Sequence, residues 1–229
     1  MTGFWLQARV LARNELLVDR RGGETFGLVL PFAVAALIMI PLAVGIDQPM
    51  ISRLGLPAFW VVTLLFGMQI AWHQTTSTDR AVRDQVRLSG LDPAAGFVGR
   101  AMANLTLLVG FMSASLVLTL LLYSPATIEN WPVFTTALVL FAIGLSVIST
   151  LIADLTLGLS VRAGLAPLLV APLALPLLFA GSRVAELSSE AAISRPGGIL
   201  AWLLVLVLVD LIGVIAGVLS ARPLEETLG

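Results

Sequence analysis

The sequence predicts an all-α membrane protein. It has six transmembrane helices, an N-terminal amphipathic helix at the membrane surface, and a cytoplasmic coupling helix between spans 2 and 3. Three observations predict this. The 229 residues are 58% hydrophobic and 12% charged, with mean hydropathy +1.00, where a soluble domain carries about 25% charge. Apolar runs of about 20 residues, enough to cross a hydrocarbon core of about 30 Å, recur along the whole chain. The remaining charge is crowded into a few polar stretches, the longest of them His73 to Arg100.

The first element is a helix over residues 3–21. Arg9, Arg13 and Arg20 fall on one narrow stripe, and Phe4, Trp5, Ala8, Leu11, Ala12 and Leu16 form a broad opposite face. That pattern suits a helix lying among headgroups with its arginines toward anionic lipid. The competing reading is a basic flank that only orients the first span. Gly22-Gly23 then permits a turn into the membrane.

The spans are predicted at about 25–46, 56–72, 101–123, 133–157, 163–181 and 199–220 within a single transmembrane domain, 1–229. Asp47, Pro49, Arg53 and Pro57 mark a short loop between the first two. An even number of spans puts both termini on one side. With that side cytoplasmic, Arg9, Arg13, Arg20, Arg21, Arg80, Arg83, Arg87, Arg100, Arg162 and Arg222 are inside, and Arg53, Arg183 and Arg195 are outside. Ten against three is a positive-inside bias, and it fixes the orientation. Trp60, Trp72, Trp131 and Trp202 lie near predicted span ends, where interfacial aromatics sit.

Residues 73–100 form the candidate docking segment. Thr76-Ser77-Thr78 offers N-cap hydroxyls, and Asp79 suits the positive end of a helix. Arg80 and Asp84 are spaced to pair. Arg83 and Arg87 are spaced i, i+4 with like charge, so that row favours an acidic partner or lipid headgroups. Ser89-Gly90 ends the helix, and Asp92-Pro93 starts another, with Asp as N-cap and Pro at the first helical position. A short helix on the cytoplasmic end of two spans is the shape by which membrane subunits of ABC transporters engage their ATPase. A solvated loop that only fixes topology is the alternative. The length and the cap and stop signals favour a partner surface, since a plain connector needs only a few residues.

Two aspartates interrupt apolar runs, Asp210 near the middle of the sixth span and Asp154 toward the cytoplasmic end of the fourth. An aspartate at mid-span costs about 2.5 to 3.5 kcal/mol to insert, so it faces protein or water. Two roles are open: lining a polar crevice or taking part in conformational coupling, or a plain hydrogen bond to a neighbour such as Thr156 or Ser160. Pro167, Pro172 and Pro176 are expected to kink the fifth span. Gly213 and Gly217 form a GxxxG suited to close helix packing.

With no cysteine, the chain has no disulfide, no cysteine-bound zinc or iron–sulfur cluster, and no Cys-x-x-Cys-His haem attachment. One histidine, His73, excludes a bis-histidine haem site. No phosphate-binding Gly-rich loop, nucleophile elbow or metal-ligand set is present, so this chain is not expected to be a catalyst of ATP hydrolysis.

Four stretches resemble one family. They are Phe4 to Arg21; Thr78 to Arg100 with its Ser89-Gly90-Leu91-Asp92-Pro93; Leu145-Ser146-Val147-Ile148 leading to Arg162; and the proline-rich Ala171 to Gly181. Together they are similar to the CcmB family, the membrane subunit of the cytochrome c maturation ABC complex, once called the haem exporter. The chain departs from the family's Phe-x-x-Asp and Asp-Gly signatures at Thr76 and Gln85. The resemblance implies an ABC-2-like permease in the bacterial inner membrane with both termini cytoplasmic. It implies two copies paired with two ATPase subunits, a haem-handling membrane partner, and ATP-driven release of the haem-loaded periplasmic chaperone. ATP and haem are then bound by partners and not by this chain. It makes Asp79, Arg80, Arg83, Asp84 and Arg87 the expected ATPase contact. Two other readings stand beside it: the membrane half of another ABC-2-type exporter (lipid, drug or polysaccharide), and a proton-coupled carrier using Asp154 and Asp210.

Overall fold

The computed structural model describes residues 3–22, 24–45, 48–77, 92–125, 128–157, 166–188 and 196–221. These form helices α1 (Phe4–Gly22), α2 (Glu24–Val44), α3 (Gln48–Ser77), α4 (Pro93–Tyr123), α5 (Trp131–Leu157), α6 (Ala166–Leu187) and α7 (Pro196–Ala221). Among the described residues, four stretches are long and apolar enough to cross a membrane: Met50–Ile70, Pro93–Tyr123, Trp131–Leu155 and Gly198–Ala221. Val29–Ala43 in α2 is a shorter apolar stretch.

α5 is the centre of the bundle, packed on α3, α4, α6 and α7. Its apolar window is 67% buried against 17% for α7, so α5 faces protein and α7 turns most of its surface outward. Leu204, Leu208, Leu211, Ile212, Ile215 and Leu219 are exposed on α7, as lipid-facing side chains are. Where lipid is as apolar as leucine, close van der Waals contact is what holds such helices together. The largest contact is aromatic. Trp60 of α3 is fully buried and meets Phe59, Phe134 and Phe141 edge-on, with centroids 5.4, 6.3 and 4.9 Å away. Its ring lies on Gly181 of α6, where a Cβ would stand 2.8 Å from the indole.

Several boundaries differ from expectation. α3 begins at Gln48, so Pro49, Arg53 and Pro57 are helical and no loop spans them. Pro49 occupies the first turn, where no amide partner is lost, and Pro57 is tolerated inside the helix. This earlier start places Trp60 inside the bundle and not at an interface. α3 also runs on to Ser77, so Thr76 and Ser77 belong to the last turn of this helix. α6 extends through Arg183 and Glu186, which pair at 2.7 Å, into what reads as an outer loop. Pro172 and Pro176 lie inside α6, and Pro167 is its second described residue.

One proline explains a tertiary bond. Pro41 has no N–H to give the carbonyl of Leu37, one turn earlier in α2. The hydroxyl of Tyr123, at the end of α4, donates to that carbonyl at 2.7 Å. Tyr123→Phe leaves a buried acceptor unsatisfied and is expected to lose about 1 to 3 kcal/mol. Pro41→Ala restores the helical donor, so the same change in that background is expected to cost much less. A double-mutant cycle of thermal stability in detergent checks this, and equal costs in both backgrounds refute it.

Candidate functional site

The base of α4 gathers three other helices, and it directly follows in sequence residues 78–91, which carry the predicted docking charges and lie outside the described residues. Asp92 caps the helix as the sequence predicts. Its side chain accepts from the Ala94 amide at 3.0 Å, and Pro93 takes the first helical position. The Asp92 amide donates to Oε1 of Gln7 at 3.4 Å, which ties the cap to α1. α1 then lies on Gly99, where a Cβ would stand 2.9 Å from both the Ala8 carbonyl oxygen and Leu11 Cβ. Ala8 and Ala12 are buried in this crossing.

The surface helix therefore divides its faces differently from expectation. Ala8, Leu11 and Ala12 turn toward protein, while Leu6, Val10 and Leu17 form an exposed apolar stripe beside exposed Arg9 and Arg13. The face against α4 consists of small residues because two backbones meet there. The side chain of Arg20 lies outside the described residues.

Two residues before Gly99 on α4, Phe97 sits where a Cβ on Gly217 of α7 would be. Gly213 takes Val147 of α5 in the same way, so the GxxxG of α7 serves packing within the chain. Arg100 then forms an ion pair with Asp154 of α5 at 2.6 Å. Ser146 donates to the Ala101 carbonyl at 2.6 Å, and Asn104 donates to Thr150 at 2.8 Å. Two antiparallel helices thus share a polar seam, charged at its end and neutral where it is fully buried. The Arg100 guanidinium, the Ser146 hydroxyl and the Asn104 amide each donate across the seam, as an apolar surrounding favours, while Arg100 Nε is buried with no partner among the described residues.

This geometry settles the partner of Asp154. It is Arg100, 54 residues earlier in the chain, while the side chains of Thr156 and Ser160 lie outside the described residues. Asp210 is 7% exposed, and neither of its carboxyl oxygens meets a partner among the described residues. The two aspartates are not brought together: one belongs to the seam, the other to the contact of α7 with Gly144. Asp79, Arg80, Arg83, Asp84 and Arg87 lie outside the described residues, as does the side chain of His73.

Sequence reading missed Arg100, Asn104, Ser146 and Thr150 as a set. The signal was present as polar residues one turn apart on two consecutive spans, matched in register when the spans run antiparallel. It also missed Ser188, whose buried carbonyl accepts the amides of Glu129 and Asn130 at 3.0 and 3.2 Å. That contact staples the α4–α5 turn to the end of α6. No group of three or more His, Cys, Asp or Glu that could hold a metal occurs among the described residues.

The family model for the CcmB protein matches residues 6–221, from the first turn of α1 to the last residue of α7. The chain is also 29% identical, over 203 residues, to a protein of Rhodobacter capsulatus named Heme exporter protein B. That match covers 84% of this chain and 89% of the relative. With a match that takes in all seven helices and the joint at the base of α4, this chain belongs to the CcmB family.

Proposed function

We propose that this chain is the membrane subunit of an ABC-type complex in cytochrome c maturation. A separate subunit hydrolyses ATP, and this chain passes the resulting motion across the membrane to release the haem-loaded periplasmic chaperone. Family membership over the full helical length is the observation that carries the reading, and the name of the relative, a haem exporter, agrees with it. In this reading α2 to α7 cross the bilayer, α1 lies on its cytoplasmic face, and both termini are inside. Partners are a cytoplasmic ATPase, a second copy of this chain and a haem-handling membrane subunit. The chain itself is non-catalytic.

The joint suggests how force travels. A pull on residues 78–91 reaches α4 through the Asp92 cap. From there it spreads to α1 through Gln7 and Gly99, to α7 through Phe97, and to α5 through Arg100. Rigid helices with close contacts at one end convert a local push into a tilt of the bundle. The carrier reading loses ground here, because Asp154 is already held by Arg100 and does not share a site with Asp210.

Reversal of Arg83 and Arg87 together (Arg83→Glu, Arg87→Glu) is expected to detach or uncouple the ATPase while insertion is kept. Co-purification with full ATPase stimulation after the double reversal overturns this docking assignment. The chain has no native cysteine, so Arg83→Cys gives a single label site. Labelling is expected from the cytoplasmic side, and labelling from the far side overturns the topology.

A further inference from the structure

Asp210 is the titratable group that the proposed mechanism leaves unused. It lies midway along α7 and is 7% exposed, and both carboxyl oxygens are buried with no donor among the described residues. Its surroundings are shaped to it. A Cβ on Gly144 of α5 would overlap Oδ1 of Asp210 and would also stand 2.7 Å from Leu177 of α6. The carboxyl therefore occupies a notch that exists because residue 144 has no side chain, at the meeting point of α5, α6 and α7. Leu177 and Leu206 nearby are fully buried members of the same apolar core.

Among the described residues no cation is placed to neutralise it. The other described titratable side chains on the helices packed against α7 are Asp154 on α5, Arg183 and Glu186 on α6, and Arg100 and Tyr123 on α4, with the Tyr123 hydroxyl donating to the Leu37 carbonyl. Arg100 and Asp154 hold each other at 2.6 Å, and Arg183 and Glu186 hold each other at 2.7 Å. Asp154 is ten residues along α5 from Gly144, about 15 Å at 1.5 Å per residue. Arg183 is six residues along α6 from Leu177, about 9 Å by the same rise. A carboxylate isolated in an apolar junction, without a donor or a counter-ion, is the state that burial penalises most. Such a group sheds its charge by taking a proton.

We propose that Asp210 is an intramembrane proton-binding site. Its neutral acid is the form that seats on Gly144, so the packing of α7 on α5 is linked to binding of one proton. In the seated state the proton completes the charge balance of the three-helix junction. Release of the proton leaves an unpaired carboxylate against Gly144 and Leu177, a lining that gives it no donor among the described residues. Ionisation therefore requires α7 to shift away from α5. The inference rests on the α5–α7 geometry alone and stands whether or not the ATPase reading does. It is also distinct from a carrier, because the site binds a proton without passing it on to a second acid.

Infrared spectroscopy of the purified protein in lipid nanodiscs at neutral pH tests this. A carboxylic-acid carbonyl band is expected in the wild type, shifting on exchange into deuterated buffer, and is expected to be lost in Asp210→Asn. Gly144→Ala, whose methyl group overlaps the carboxyl, is expected to displace or abolish the band while the chain remains folded. Thermal stability of the wild type is expected to fall as buffer changes from mildly acidic to mildly alkaline, and that of Asp210→Asn to lose this dependence. A wild-type spectrum without a protonated-acid band at neutral pH overturns the proposal, and this reading needs no variant to fold. A band that survives unchanged in Asp210→Asn overturns it equally.

Discussion

Trp60→Ala is expected to destabilise the chain by about 3 to 5 kcal/mol, the range for removing a large aromatic from a packed core. The indole is fully buried, meets three phenylalanine rings and covers Gly181. Its Nε1 has no hydrogen-bond partner among the described residues, so the loss is one of contact and not of a polar bond. That distinction separates two variants. Trp60→Phe keeps an aromatic edge for Phe141 and is expected to cost clearly less than alanine. If Nε1 were bonded, Trp60→Phe would approach the alanine cost. Gly181→Val forces a side chain into the indole from the other side, and overpacking of this kind costs about 1 to 3 kcal/mol. Thermal unfolding of the three variants in one detergent ranks them. An alanine variant as stable as the wild type refutes the packing account.

Much of this architecture is legible in the residues. The order of helices follows from apolar length, and the start of α4 follows from Asp92-Pro93, because capping is local chemistry. The N-terminal helix α1 was also legible as a helix, since its arginine stripe has helical period. What failed needed information from across the bundle. Asp154 stays open between two roles in the sequence, because Arg100 is 54 residues away, and the structure supplies that partner from the preceding helix. Trp60 reads as interfacial because Pro49 and Pro57 look like loop residues, and α3 absorbs both. The apolar face of α1 reads as one surface, and the structure divides it between Gly99 and the exterior. In each case periodicity identifies the element, and the choice of neighbour decides the role.

The seam and the Asp210 notch answer the same problem in two ways. Arg100 and Asp154 keep side-chain exposures of 24% and 15% near the end of the helices, where paired charges retain some solvent. Asp210 lies deeper on α7, beside glycine and leucine. A charge near the edge is stabilised by a partner, while one in the middle needs a proton or a path to water. The two aspartates thus differ in what they can do: the first can lock helices, and the second can report whether they are closed.

Removing one partner of the Arg100–Asp154 pair is expected to cost about 2 kcal/mol, in the range of a hydrogen bond to a charged group. Solvent screening of the partly exposed pair trims the purely electrostatic part. On the proposed reading the functional loss is larger, because this pair links the base of α4, where the docking segment ends, to the central helix α5. Arg100→Ala and Asp154→Ala are each expected to reduce ATPase stimulation by the reconstituted complex about tenfold, the ratio that about 1.4 kcal/mol of lost coupling produces. Two double variants separate stability from transmission. The exchange Arg100→Asp with Asp154→Arg restores an ion pair and is expected to recover part of both properties. Arg100→Met with Asp154→Leu removes both charges for apolar bulk, which leaves stability nearly unchanged for many such pairs. If that double variant is stable and uncoupled, the ion pair transmits motion. If it is stable and fully coupled, the pair only holds α4 against α5, and force from the docking segment travels through Phe97 and Gly217 instead.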